Sequence, residues 1–467
     1  MASPDRAARA RRLLEGPILP TLLGLAAPNL AVMMAQTAAS FAESWYVGRL
    51  GTEALAGAAL VFPLVMLMQM MSAGGMGGGI SSAVARAIGG GRHADAEALA
   101  LHAVVIALAF GTAFTAAALF GGPSLYRAMG GSGPVLDAAL AYSDTVFAGA
   151  ILLWLLNSLA NVLRGTGNMA LPALVLTVGA GGMVALAPVL MFGLGPIPAF
   201  GIAGAAGALV IFYAVGSIVL LTGLVRGTGM IRLTLGHRLR GRHFAEILRV
   251  GMFGVASTVV SNLAVAVATG FVGVYGASAL AGYGLGARLE YLQIPIAFSF
   301  GSALVAMVGM NVGAGQRRRA VLAAWAGTLA VAAITGLIGL AAALFSRQWL
   351  GLFTVDAAAI EAGALYFRTV GPVYGLFGIG MALYFAAQGT GRMALPLAAG
   401  TLRLAFVAIA GWLAVHLLGV GLDGIFMVVA LALVLFGSAN ALPWLVRLVD
   451  PAWGAPPKPA PAQNTAR

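Results

Sequence analysis

The sequence predicts an all-α integral membrane protein: twelve transmembrane helices in two six-helix pseudo-repeats that run parallel to each other. Three observations predict it. The 467 residues are 61% hydrophobic and 9% charged, against about 25% charged in a soluble domain, which leaves too little polar surface to cover a globule in water. Apolar runs long enough to cross a bilayer, about 20 residues, recur twelve times along the chain. Short glycine-rich segments repeat in the same order at an offset of 224 or 225 residues.

The apolar runs, numbered here as spans 1 to 12, cover residues 17–48, 53–85, 96–121, 134–163, 170–194, 199–225, 246–275, 278–311, 320–346, 358–390, 395–418 and 423–446. The longest exceed the hydrocarbon thickness, so they tilt or extend beyond it. Arg6 to Arg12 precede a run too long for a signal peptide and without a cleavage site. With the amino terminus in the cytoplasm, nineteen basic residues fall inside and only Arg49, Arg127 and Arg347 fall outside. That bias sets the orientation and an even number of spans. Both termini are therefore expected in the cytoplasm of a multi-pass protein of the bacterial cytoplasmic membrane.

The chain divides into a cytoplasmic amino-terminal segment 1–16, a first six-helix lobe 17–225, a basic cytoplasmic linker 226–245, a second lobe 246–446 and a disordered cytoplasmic tail 447–467. The net charge of +12 reads as topology, not as a nucleic-acid surface. The absence of cysteine excludes disulfides and thiolate metal sites. No cofactor, metal or nucleic-acid partner is expected, and the chain is read as a monomer.

The repeat rests on three matches. Residues 47–57 align with 272–282, 89–96 with 313–320, and 165–172 with 389–396. One glycine-rich match is weak; three in order at one offset are specific. Six spans per copy is an even number, so both copies enter the membrane in the same direction, as in parallel-repeat transporters. The matched segments are the turns after spans 1, 2 and 4 of each copy. Glycine supplies the positive φ of a tight turn and proline opens the next helix, so these motifs read as punctuation, not as ligand sites.

With these motifs in place, residues 15–445 resemble the multidrug and toxic compound extrusion (MATE) family. Gln36, the run Glu43 to Gly51, the loop Gly89 to Ala96, the turn Arg164-Gly165-Thr166-Gly167, and Gly301 through Gly315 carry the resemblance. It implies secondary active antiport by alternating access, with export of cationic or amphipathic organic compounds driven by a proton or sodium gradient.

Charged groups within the hydrocarbon cost about 2.5–3.5 kcal/mol each on insertion scales and are functional suspects. Three acids lie within spans: Glu43, Asp144 and Glu290. Gln36, Ser40 and Glu43 fall at i, i+4 and i+7, on one face of span 1. The family usually has Asp where Glu43 stands. Buried carboxyls take up protons more readily than exposed ones, so Glu43 is read as the carrier of the coupling proton. An acid meeting headgroup water at the helix end is the competing reading.

The family often has Asn and Asp in span 5, where this chain has Met183 and Ala187. That removes cation ligands and favours a proton over sodium. Asn157 and Asn161 on span 4 are candidate partners of Glu43, or else bond between packed helices. In the second half, Glu290 lies near Arg288 and Gln293, with Arg403 the other deep cation; ion coupling and a structural ion pair both fit. Asp144 and Arg368 lie at corresponding repeat positions and are candidates for a gate closing the outer mouth, or for separate headgroup contacts.

Cargo would occupy the cleft between the halves. Phe41, Trp45, Tyr46, Phe62, Met66, Met70, Tyr291 and Phe298 are its candidate lining, because aromatic faces attract organic cations and methionine adapts to varied shapes. Each of these residues also fits ordinary helix packing. Lys458, the only lysine, lies in the tail, so no phosphate-binding P-loop exists. No HExxH or GxSxG occurs, which argues against an enzyme. A lipid-linked saccharide flippase of the same superfamily is the rival function; only Arg288 and Arg403 lie deep enough to serve a pyrophosphate.

Overall fold

In hydrocarbon every backbone polar group must be satisfied within the chain, so apolar runs of this length become helices. The computed structural model describes residues 4–227, 230–234 and 236–449, and shows that outcome. An amino-terminal helix, Pro4–Glu15, precedes the spans. In the first half the spans are Ile18–Gly48, Thr52–Gly89, His93–Ala128, Gly133–Gly165, Ala170–Phe192 and Ile202–Arg226. In the second they are Gly241–Gly273, Ala277–Gly313, Arg317–Leu344, Ala357–Thr390, Ala394–His416 and Leu422–Val449. Eleven are continuous helical runs long and apolar enough to cross a membrane; the twelfth is the pair Gly133–Ala148 and Ala150–Gly165, bent by 46°.

Several boundaries differ from the sequence reading. Span 3 continues past Pro123 to Ala128, because polar residues at its end do not stop a helix already propagating. Span 7 begins at Gly241, so the linker is shorter than 226–245. The tail expected to be disordered lies, from residue 450, outside the described residues.

The repeat is visible in the turns. Gly91 and Gly315 have φ of 72° and 76°, and Gly167 and Gly391 both have 76°. These are left-handed values that a side chain would strain. Span 4 and its counterpart span 10 also break at matching places, span 4 at Gly149 and span 10 at the 3-10 turn Gly371–Val373, where Pro372 cannot donate a helical hydrogen bond.

Span 2 carries a π-helical turn, Met70–Met76, between two α-helical stretches. Beyond it, towards Gly89, nearly every residue is buried. Here the halves meet through small residues. Gly75 lies on Gly254, Gly79 on Gly251 and Gly89 on Met310; a Cβ at Gly79 would come within 2.7 Å of the Gly251 nitrogen. Close backbone approach of this kind is how helices associate where no hydrophobic gain separates protein from lipid.

Among the described residues, the hydrogen bonds and ion pairs joining the halves all lie towards one end of the bundle, the end that carries Arg86, Arg92, Arg242 and Arg317. At the opposite end Thr52–Gln69 packs mainly on span 4 of its own half, and Ala357–Val370 on spans 8 and 12 of its own. The halves thus enclose a cleft sealed at the arginine-rich end.

Candidate functional site

Glu43 comes from span 1, well beyond its Pro28, and its side chain is half-buried. The Tyr142 hydroxyl of span 4 donates to its Oε1 at 2.8 Å. Tyr213 of span 6 is close enough to interact with the same charge. The carboxylate therefore lies within the first half, among spans 1, 4 and 6. Gln36 is half-buried and Ser40 exposed on the same helix; neither side chain bonds to Glu43 among the described residues.

Asn157 and Asn161 do not reach Glu43. Asn157 Nδ2 donates to Gln69 Oε1 at 3.2 Å and to Ser72 Oγ at 2.8 Å. Asn161 Nδ2 donates to the Ala73 carbonyl at 3.3 Å and the Asn157 carbonyl at 2.9 Å. Both face the π turn: Asn161 takes a carbonyl of the turn and Asn157 takes side chains at its start. The two asparagines fasten span 4 to it, so the reading as bonds between packed helices is the one the structure supports.

The second half holds a comparable arrangement. Glu290 of span 8 is half-buried, and the Tyr366 hydroxyl of span 10 donates to its Oε1. Arg288 is exposed and forms no ion pair among the described residues, because two residues along a helix point in different directions. The cation facing Glu290 is Arg403 of span 11, which acts on it at longer range than a contact pair. The Arg403 guanidinium lies 5.7 Å from the Phe436 ring centroid. Glu290 therefore has a tyrosine hydrogen bond and a distant arginine in place of a contact ion pair. Gln293 is fully buried, and among the described residues neither polar atom of its side chain has a hydrogen-bond partner.

At the open end Phe41 is 73% exposed, Trp45 61% and Phe62 52%. Trp45 also lies under the Arg49 guanidinium, 5.2 Å from its ring centroid, and edge-on to Tyr46. Met66 and Met70 present exposed surface deeper along span 2. Phe298 packs edge-on against Phe385 of span 10 with centroids 5.9 Å apart. The side chain of Tyr291 lies outside the described residues. Asp144 and Arg368 are both exposed and form no ion pair with each other, since their halves are apart at this end.

Other residues went unnoticed in the sequence because they resembled topology signals. Arg86 donates to Glu246 Oε1 at 3.4 Å across the seam, and to Ser82 on its own helix. Asp95 accepts from Arg242 at 2.9 Å and lies 3.4 Å from His243. Ser82 donates to the Gln388 carbonyl, and Gln388 Nε2 donates to the Gly74 carbonyl at 3.2 Å. Asn29 donates to Ser302 at 2.7 Å. Asp95 and Arg86 flank the repeated glycine turn, and that adjacency was the available signal.

The family model described as MatE matches residues 28–189 and 254–413, one match in each half. A protein named FAD transporter from Shewanella oneidensis is 28% identical over 377 residues, covering 79% of this chain and 81% of that protein. A probable multidrug resistance protein NorM from Thermotoga maritima is 24% identical over 378 residues, covering 80% and 81%. Among solved structures, a MOP superfamily transporter from Pyrococcus furiosus superposes with a TM-score of 0.84 at 26% identity, covering 94% of this chain and 97% of that one. A multidrug resistance MATE family transporter in an outward-facing conformation gives a TM-score of 0.84 at 27% identity, with the same coverage.

Proposed function

The chain belongs to the MatE family of membrane transporters, and from that premise we propose that it is a secondary active antiporter. Its cargo is cationic or amphipathic organic compounds, exported in exchange for protons by alternating access. The observation that carries this reading is the pair of half-buried glutamates, Glu43 and Glu290, each held by a tyrosine on either side of a cleft sealed at one end. A carboxylate with one hydroxyl donor is suited to exchanging a proton. Sodium prefers several oxygen ligands, and Met183 and Ala187 on span 5 supply none.

The arginine-rich end is the cytoplasmic end in this reading, following the distribution of basic residues. The cleft then opens outward from a bacterial cytoplasmic membrane, with both termini inside and one chain as the working unit. Relatives named for FAD and for multidrug resistance support an organic cargo.

The test is ethidium efflux from proteoliposomes under an imposed pH gradient without sodium, and under a sodium gradient at fixed pH. Efflux driven by the pH gradient and abolished by an uncoupler is expected. Efflux driven only by sodium would overturn the choice of ion, and a flux indifferent to either gradient would overturn antiport.

A further inference from the structure

Arg164 is 2% exposed, and among the described residues its Nε has no hydrogen-bond partner. Among the described residues it forms no ion pair. A buried charge without a counter-charge is strongly disfavoured unless something offsets it. Two half-buried arginines of the spans have an acid in reach: Arg86 has Glu246 and Arg403 has Glu290. Arg164 has an aromatic ring, Phe298 of the other half, with its guanidinium carbon 5.8 Å from the centroid.

The repeat supplies an internal control. The residue 224 positions after Arg164 is Gln388, and the residue 224 positions after Gly74 is Phe298. Gln388 crosses the seam to donate to Gly74. Arg164 crosses the seam to lie over Phe298. Both residues thus reach across the seam from corresponding ends of spans 4 and 10. One does so with a neutral amide that satisfies a carbonyl, the other with a cation over a ring. The fold itself therefore accepts a neutral glutamine at this position, and the charge on Arg164 calls for a separate reason.

Helical side chains lean towards the helix amino terminus. Span 4 runs towards the arginine-rich end, so Arg164 leans back towards the cleft, to the level of Phe298. Phe298 is half-buried and braced by Phe385. The geometry points to an anion subsite at the cleft floor: Arg164 takes the carboxylate or phosphate of an aromatic compound whose ring packs on Phe298. A guanidinium fork suits both oxyanions. The inference rests on the transport reading and names a class of cargo within it, amphipathic aromatics that carry an acidic group.

The test uses two flavins that differ by one phosphate, riboflavin and FMN, with ethidium as the cationic reference, in proteoliposomes of wild type, Arg164→Gln and Arg164→Lys. Wild type is expected to move FMN. Arg164→Gln should lower FMN efflux about tenfold or more, the loss expected for a charge-assisted hydrogen bond, with riboflavin and ethidium little changed, and Arg164→Lys should recover part of it. Equal loss of all three compounds in Arg164→Gln would make Arg164 a lock between the halves and overturn the subsite. Wild-type efflux of ethidium without FMN would overturn the subsite and leave transport standing. Efflux of none of the three would overturn both.

Discussion

Tyr142 and Tyr366 are equivalent residues of the two halves, 224 positions apart, and each donates its hydroxyl to a buried-side glutamate of its own half. The acids themselves are not equivalent. Glu43 comes from the first span of its half and Glu290 from the second. Each half has thus met the same tyrosine with a carboxylate from a different helix, so an acid can be placed against this position by two routes.

We expect Glu43→Gln to reduce pH-driven ethidium efflux to the uncoupled background, because an amide cannot release a proton. Tyr142→Phe removes one hydrogen bond to a charged group, which contributes about 1.5–3 kcal/mol, and should give a partial loss. Efflux per reconstituted molecule separates these effects from lost protein. Coupled efflux at the wild-type rate in Glu43→Gln would remove Glu43 from the mechanism.

Glu290→Gln distinguishes coupling from structure in the second half. Its partners are a tyrosine and a distant arginine, not a contact ion pair. Neutralising it leaves Arg403 with one charge fewer to face, so some loss of folded protein is expected. If ion coupling passes through Glu290, the surviving molecules should also lose pH-driven efflux. Normal efflux per molecule would assign Glu290 to structure alone.

The fold was legible because its signals are collective. Twelve apolar runs, the distribution of arginines and three repeated turns each survive local error, and the matching φ of Gly167 and Gly391 bears out the reading of those turns as punctuation. The site was legible only in part. Glu43 and Glu290 stood out as charges in apolar runs. Their partners did not, since a tyrosine in a membrane helix is common and its hydroxyl finds an acid only through tertiary packing. For Asn157 and Asn161 the sequence left two readings open, and the π turn at Met70–Met76 that they bond to leaves no mark in periodicity. Arg86 and Asp95 read as topology, and they serve the seam as well.

The seam itself can be opened by charge. Arg86 and Glu246 have side chains 14% and 26% exposed, whereas Arg242, the partner of Asp95, is 60% exposed. A half-buried charged hydrogen bond contributes about 1.5–3 kcal/mol, and a solvent-exposed pair about 0–1 kcal/mol. Glu246→Gln should therefore open the seal more than Arg242→Gln. The chain contains no cysteine, so Ala85→Cys, fully buried beside Gly309, reports opening by its rate of thiol labelling. Faster labelling in Arg242→Gln than in Glu246→Gln would reverse this ranking.

Sterics give an independent handle on the same seam. Gly79→Val places a branched side chain where even a Cβ meets the backbone of span 7 at 2.7 Å. Gly181→Ala on span 5 meets nothing within 4 Å and replaces a helical glycine, a change that favours helix by about 0.5–1 kcal/mol. The first should raise Ala85→Cys labelling and reduce efflux; the second should do neither. Sealed, active Gly79→Val protein would show that the halves do not close on this contact.

The amino-terminal helix ties the sealed end together from outside the spans. Leu13 is 1% exposed, and its side chain lies against Gly167, at the turn after span 4. Its carbonyl accepts from Asn311 of span 8 at 3.2 Å, and Arg319 of span 9 donates to the Gly16 carbonyl. One short segment thus holds a turn of the first half and two spans of the second. Truncating a buried leucine to alanine typically costs about 2–5 kcal/mol, and here that cost falls on the sealed arrangement, where both halves meet the helix. Leu13→Ala should therefore shift the population away from the sealed state, raising Ala85→Cys labelling while the protein remains folded. If thermal stability falls and labelling does not rise, Leu13 packs on one half only and the helix is no tie between them.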